Sequence, residues 1–414
     1  MSINMNSLAP STSATNEIQA KFLFSGIRER LCARWLQQIH AGRLTVEFPS
    51  GNRRTFEGAK PGPQAFVRIR DLRLVVRVLA GGDIGFAEGY MEGDWESPDL
   101  TAVLTLGAMN LEQLSNTLAP SSLMNVLNRY RHVRRANTKK GSRRNIAAHY
   151  DLGNAFFSQW LDSTMSYSSA LFADMSERHS DAQRRKYLRL AAAIDLRPGD
   201  RVLEIGCGWG GFAEIAAAEF GCDVVGLTLS VEQAAFAKQR MNTACLANKV
   251  EIRLQDYRDV DGKFDKIVSI EMFEAVGVEN WRTYFDVLFR RLKPGGLAGL
   301  QVITINDENF DSYRRNPDFI QSYIFPGGML PSPSTFKQAV SAAGLEISDA
   351  FYFGKSYAES LRRWGRAFRH KWPELERLGF DHRFFRMWWY YFCYCETGFN
   401  LDRTDVGQFV IERP

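Results

Sequence analysis

Hydrophobic and polar positions follow two rhythms along this chain. Near the start, Phe22, Ile27, Leu31, Trp35 and Ile39 recur at helical spacing and predict a helix over 21–40. The period then drops to two in Leu44-Thr-Val-Glu-Phe48, which predicts a strand closed by a turn at Ser50-Gly-Asn52. Ala65-Phe-Val-Arg-Ile69 and Leu72-Arg-Leu-Val-Val76 read as further strands. Gly81-Gly82-Asp83 breaks the pattern. Ile84 to Tyr90 reads as a short helix ending near Glu92-Gly93-Asp94-Trp95, and Ser97 to Leu111 as another. These segments predict a small α+β domain over residues 20–127, preceded by a polar, disordered leader over 1–19.

From Leu196 the rhythm is that of alternating strand and helix. Arg201–Ile205, Asp223–Gly226, Val250–Leu254, Lys266–Ile270 and Leu297–Ile303 read as short strands. Phe212–Phe220 and Val231–Asn242 read as helices between them. This order predicts an α/β, doubly wound, mostly parallel Rossmann-like sheet within a domain over 145–414. Ligands of such sheets sit outside the C-terminal strand ends.

Composition changes the picture at a few points. The 414 residues are 45% hydrophobic and 24% charged, which excludes whole-chain disorder and fibrous repeats. Six scattered Cys form no CxxC pair, so neither a disulfide scaffold nor a metal site is expected, and free thiols in a reducing cytoplasm are. The first residues do not read as a signal peptide, and no apolar run has the length of a bilayer span. The net charge of +5 is uneven. Residues 128–144 carry eight Lys/Arg and no acid, and form a basic linker. That linker reads either as a solvated connection or as a contact for an anionic surface, nucleic acid or acidic lipid; its charges alone do not choose. No nucleic-acid motif accompanies it.

The most informative segment is Val202-Leu-Glu-Ile-Gly-Cys-Gly-Trp-Gly210-Gly211, a strand running into a glycine turn and a helix. Gly206, Gly208 and Gly211 satisfy a dinucleotide-type spacing, with Glu204 two residues ahead. Val225-Gly226 ends the second strand without the acid that an NAD ribose requires, which disfavours a dehydrogenase. The E-I-G-C-G-x-G pattern resembles motif I of S-adenosylmethionine-dependent methyltransferases. Further segments narrow the resemblance: His149-Tyr150-Asp151-Leu-Gly-Asn154, Met165-Ser-Tyr167-Ser168-Ser169-Ala170, Leu227-Thr228-Leu229-Ser230-x-x-Gln233, Phe273-Glu274-Ala-Val-Gly277 and Tyr323-Ile-Phe-Pro326-Gly-Gly-x-Leu-Pro331. Together, over residues 80–414, they resemble cyclopropane-fatty-acyl-phospholipid synthases and the related mycolic acid methyltransferases. The small N-terminal domain looks like the one carried by phospholipid-acting members.

The resemblance implies methylation of the double bond of unsaturated fatty acyl chains in membrane phospholipids, with S-adenosylmethionine as methyl donor and a cyclopropane or methyl- or methylene-branched product. Methylation of an acyl diene on a furan fatty acid route, or of a non-lipid small molecule, is the alternative. It further implies cofactor contacts at Tyr167, Ser168, Gly206, Gly208, Thr228, Leu229, Gln233, Asp256 and Tyr257. It implies a catalytic anion shell at Ser169, Glu274, Gln301, Ile303 and Tyr357, where the family uses bound bicarbonate as base. Two positions depart from the family pattern: Ser169 stands where it has Cys, and Gln301 where it has His. Both still donate hydrogen bonds but not the same proton chemistry, which puts bicarbonate and the product in doubt.

The expected partners are acyl chains and an anionic inner-leaflet surface, with a homodimer left open. The expected location is cytoplasmic, peripheral on the inner membrane face. Two aromatic and basic segments, Leu361–Trp372 and Trp388–Tyr394, fit a lipid interface or a helix packed on the sheet. Phe273, Tyr323, Phe325, Phe353 and Tyr357 are candidates for facing a cationic acyl intermediate.

Overall fold

A computed structural model of the protein describes residues 26–115 and 152–414. They fall into two compact units. The leader, the basic linker and His149-Tyr150-Asp151 lie outside the described residues, as does the start of the first predicted helix.

The first unit opens with a helix over 26–36. It continues with strands β1 (Ala41–Glu47), β2 (Arg53–Glu57), β3 (Lys60–Ile69) and β4 (Trp95–Glu96). These form one sheet in the order β2-β1-β3-β4. Strand β2 has one buried residue, Phe56, and gave no apolar signal in the sequence. Leu72–Val76 is not a strand. It opens the helix Arg73–Met91, which buries Leu74 and Val78 one turn apart. Arg77 donates to the buried Asp94 at 2.8 Å and fixes that helix in place, overriding the β preference of its valines. The expected break is real: Gly82 sits at φ 58 and kinks the helix. Asp99 then caps the helix Leu100–Met109 by accepting from the amide of Ala102 at 2.9 Å.

The second unit holds the strands β5 (Arg201–Ile205), β6 (Asp223–Thr228), β7 (Val250–Leu254), β8 (Phe264–Ile270), β9 (Leu292–Ile305), β10 (Glu346–Tyr352) and β11 (Thr404–Glu412). Their order is β10-β11-β9-β8-β5-β6-β7. Pairings β9-β8, β8-β5, β5-β6 and β6-β7 are parallel, and β11 joins β9 and β10 antiparallel. Alternate residues of β5 enter different cores: Leu203 and Ile205 pack on one face with Phe264, Phe273 and Phe285, and Val202 on the other with Leu190, Phe212 and Met241. The chain leaves β5 toward β6 on one side and returns to β8 on the other. A crevice therefore opens at the C-terminal ends of β5 and β8.

The aromatic segments near the C-terminus are helices, Gly354–His370 and His382–Asn400. Their Trp364, Phe368, Trp388, Tyr390, Tyr391 and Phe392 are buried. They close over the helix Asn154–Phe157, where Phe156 meets six rings: Phe157, Trp160, Phe368, Phe380, Phe384 and Trp388. These aromatics pack inside the protein, not against an outer lipid surface. Among the described residues no helix is long and apolar enough to cross a membrane. Replacing Phe156 with Ala should lower unfolding free energy by about 3–5 kcal/mol, read as a shift of the urea midpoint at unchanged slope.

Candidate active site

The crevice between β5 and β8 is a cleft of about 970 Å³, counting its open mouth. Its floor is the glycine turn. The amides of Gly206 and Cys207 both donate to the Leu227 carbonyl, at 3.0 and 2.8 Å, and clamp the turn to the end of β6. Gly206 has φ 81, and a Cβ there would lie 2.7 Å from Cγ of Met272. The indole of Trp209 donates to Asn154 Oδ1 at 2.7 Å, which holds the turn from outside.

Tyr167, Ser168, Gly206, Gly208, Thr228, Leu229, Gln233 and Tyr257 all line this cleft. Asp256 does not. Its carboxylate accepts from the Arg258 amide at 3.0 Å and pairs with the Arg258 guanidinium at 2.7 Å, capping a single 3-10 turn. Gln255 takes its place in the lining. Ser230 caps the helix Val231–Thr243 and so fixes Gln233, whose Oε1 accepts from Thr228 at 2.9 Å.

The five residues expected to form one anion shell divide between two carboxylates. Glu271, which follows β8 directly, takes three of them. Its Oε1 accepts from the Ser169 amide at 2.8 Å and from Gln301 Nε2 at 2.7 Å. Its Oε2 accepts from the Tyr357 hydroxyl at 2.6 Å. Glu274 takes the remaining one: its Oε1 accepts from the Ile303 amide at 2.6 Å. Its buried Oε2 has no hydrogen-bond partner among the described residues. The Ser169 hydroxyl turns away to the Ala170 carbonyl at 2.9 Å.

Three acids and one amine set the electrostatics. Burial pushes the Glu274 carboxyl up to about 8, with Glu271 adding like charge. Burial also pushes Glu204 up to about 8. Glu271 is raised by desolvation, against the pull of Lys186 and its hydrogen bonds. Lys186 is fully buried and donates to Ser168 Oγ at 2.5 Å. Burial draws its ammonium down to about 7, opposed by Glu271, Asp162 and Glu204.

Of the proposed aromatics, Phe325 faces Tyr167 at a ring distance of 6.5 Å, and Tyr357 stacks on Phe399 at 4.5 Å. Phe273 is core, packed on Trp281, Tyr284, Phe285 and Phe336, and Phe353 stacks on Phe351. Tyr323 stacks on Phe319.

A model of the mycolic acid cyclopropane synthetase family matches residues 137–409. The chain belongs to that family. It is 41% identical over 362 residues to a tuberculostearic acid methyltransferase of Mycobacterium tuberculosis, covering 85% of this chain and 83% of the relative. It is 38% identical over 357 residues to the cyclopropane-fatty-acyl-phospholipid synthase of Escherichia coli, covering 84% and 88%. Its structure resembles that of mycolic acid cyclopropane synthase CmaA1 complexed with SAH and CTAB, with TM-score 0.61 and 30% identity over 65% of this chain and 98% of that one. The chain is thus a methyltransferase that uses S-adenosylmethionine to methylate or cyclopropanate unsaturated lipid chains.

The cleft of this family member fits that donor. Gly206 and Gly208 bring bare backbone to its floor, and Glu204 Oε2, buried and without a hydrogen-bond partner among the described residues, is left for a ligand. The shell fits bicarbonate poorly. Its donors already meet Glu271 and Glu274.

Glu271 and Lys186 escaped the motif reading. Glu271 belongs to no signature segment, although its place just after β8 is where a doubly wound sheet puts its ligands. Lys186 lies on the buried stripe Ala182, Gln183, Tyr187, Leu190 of its helix, and a cation on such a stripe was the available signal.

Gly206→Val should lose measurable binding of S-adenosylmethionine by titration calorimetry, because the new side chain meets Met272 at an unfavourable φ. Glu274 also makes a pH prediction. Its folded pKa, about 8, lies above the usual 4.5, so between these values the folded state holds the extra proton. Stability from this group is full below 4.5 and lost as pH rises through 8. Relative to Glu274→Gln, the cofactor-free wild type should lose at most about 1.4 kcal/mol per pH unit across that window, measured by calorimetry.

Proposed function

We propose that this enzyme methylates the double bond of unsaturated fatty acyl chains in membrane phospholipids, giving a cyclopropane or a methyl- or methylene-branched chain. The carrying observation is the meeting of two surfaces at Tyr167. Its ring lines the cofactor cleft and also packs on Phe157, Trp160, Phe325 and Trp364, and its hydroxyl donates to Tyr391 at 2.9 Å. A charged donor in the cleft would therefore sit against a residue whose other side is packed with rings. The phospholipid form of the substrate is supported by the Escherichia coli relative, whose 357 aligned residues exceed the second unit and so extend into the first.

S-adenosylmethionine supplies an electrophilic methyl group. An isolated alkene carries no proton whose removal would activate it, so the protein's contribution is alignment and dryness. Alignment is worth about 7–11 kcal/mol in favourable cases. Tyr167, Ser168, Gly206, Gly208, Thr228, Leu229, Gln233 and Tyr257 hold the donor. Tyr167 and Phe325 give the acyl chain an aromatic wall. Methylation leaves positive charge on that chain, which a ring face stabilises by about 2 kcal/mol once water is excluded. A base then takes one proton, and the carbon that yields it decides the product. Glu274, held by Ile303, is the carboxylate that positions this chemistry from beneath.

Incubated with methyl-tritiated donor and vesicles of unsaturated phospholipid, the protein should place label in the lipid, with acyl chains heavier by one methylene unit in mass spectrometry. Label on headgroup nitrogen or oxygen instead would sink the reading. Glu274→Ala should keep donor affinity and lose about 100-fold or more in turnover.

A further inference from the structure

We propose that the carboxylate of Glu271 is the base of this site, a fixed anion that occupies the shell where a free one would bind. The inference rests on the alkene-methylating reading above and names the group that takes the proton. Three donors converge on it from three parts of the chain: the Ser169 amide, the Gln301 side chain on β9 and the Tyr357 hydroxyl on the helix Gly354–His370. A planar free anion needs such a cradle, and here each donor is already engaged. The Ile303 amide is held by Glu274, and Gln301 Oε1 accepts from Gln408 Nε2 at 3.1 Å. The two amides, the Gln301 side chain and the Tyr357 hydroxyl of the expected shell are thus all engaged.

The backbone supports the same assignment. Glu271 has φ 50, a left-handed conformation that a side chain rarely adopts and that costs about 1–3 kcal/mol. Its amide donates to the Gln301 carbonyl at 2.8 Å, and its side chain is tied back by the three donors, so the surroundings enforce the strain. Strain of this kind collects at functional sites. The conformation directs the carboxylate into the cofactor cleft, which Glu271 lines. Burial raises the Glu271 carboxyl, and Lys186 with the three hydrogen bonds opposes that rise.

In the step assigned to it a C–H bond breaks, either on the transferred methyl group, one carbon removed from the cationic carbon, or on a chain carbon directly next to it. Its electron pair forms the new carbon–carbon bond, either the third side of a ring or a double bond. The proton goes to a Glu271 oxygen, and the neutral acid returns it to water as product leaves. No oxidant or further reactant is required.

The test uses the full-length protein, unsaturated phospholipid vesicles, and buffer stripped of carbon dioxide or supplemented with bicarbonate. Wild-type turnover should be the same in both. Glu271→Gln, similar in size, should lose about 100-fold or more in kcat with donor affinity unchanged. Glu271→Gly relaxes the strained backbone and empties the shell, so bicarbonate should restore part of its activity, which a merely structural role would not allow. Carbon-13 bicarbonate, followed by NMR without lipid, should bind the Gly variant and not the wild type. Wild-type turnover that rises with bicarbonate, bicarbonate bound by the wild type, or full activity in Glu271→Gln would overturn the assignment of Glu271 alone. A wild type that moves no methyl group to acyl chains overturns the functional reading and the base with it.

Discussion

The carboxylate of Glu271 draws together segments that are far apart along the chain. Ser169 lies in the loop before the first strand of the large sheet, Gln301 in β9, and Tyr357 on a helix near the C-terminus. The network runs on through Gln408 of β11, which bonds both Gln301 and the carbonyl of Lys186. The antiparallel edge of the sheet is therefore tied to the same acid that faces the cofactor cleft. Desolvation raises this carboxyl, and its donors together with Lys186 oppose that rise and favour the ionised form. Removing the carboxylate strands buried donors, each costing about 1–3 kcal/mol, and the network must be kept whole or not at all.

Two glutamates, Glu204 and Glu271, line the cleft, and a third, Glu274, is buried within electrostatic reach of Glu271; the three differ in what surrounds them. Glu204 and Glu274 each leave a buried oxygen without a partner among the described residues, and both carboxyls are pushed up to about 8. Glu271 meets three donors, and Lys186 acts electrostatically in favour of its ionised form. Environments that separate neighbouring carboxyls in this way divide acid from base roles. At neutral pH the pair Glu271 and Glu274 holds one proton more easily than none, because two charges side by side repel. Glu274 meets one donor and has a free oxygen while Glu271 meets three, so the hydrogen bonds favour placing the charge on Glu271.

Much of the fold was legible because a parallel sheet announces itself. Strands β5, β6, β8 and β9 are largely apolar runs bounded by turns, since both faces are covered, whereas the edge strand β7 alternates buried and exposed positions. The glycine turn was legible for a related reason: only glycine accepts φ 81 at Gly206 where Met272 crowds the position. Legibility failed where tertiary contacts rewrote local preference. Leu72–Val76 has strand composition, yet Arg77 and Asp94 hold it as helix. Strand β10 carries almost no buried residue and sent no periodic signal. Asp256 had the right type and spacing for a ligand, but Arg258 lies two residues on and claims it. The aromatic C-terminal helices showed rings beside cations, and sequence alone did not tell an outer lipid face from an inner packed one. Glu271 was hidden because a motif reading asks which expected residues are present, not which unexpected one has filled their centre.

A base fixed to the backbone constrains product geometry in a way that a diffusible one does not. A free anion takes up whatever position its donors and the substrate jointly allow. Glu271 is held at both oxygens and at its own amide, so its reach is set before the acyl chain arrives. Which proton it meets then depends on how the chain lies along Tyr167 and Phe325. If the new methyl group points toward Glu271, the electron pair closes a ring. If a neighbouring chain carbon does, a branch with a double bond results. The same chemistry thus yields either outcome according to how the chain is seated against the fixed base. Substitutions along the aromatic wall, remote from any titrating group, are then the ones that shift the ratio of products while Glu271 sets the rate.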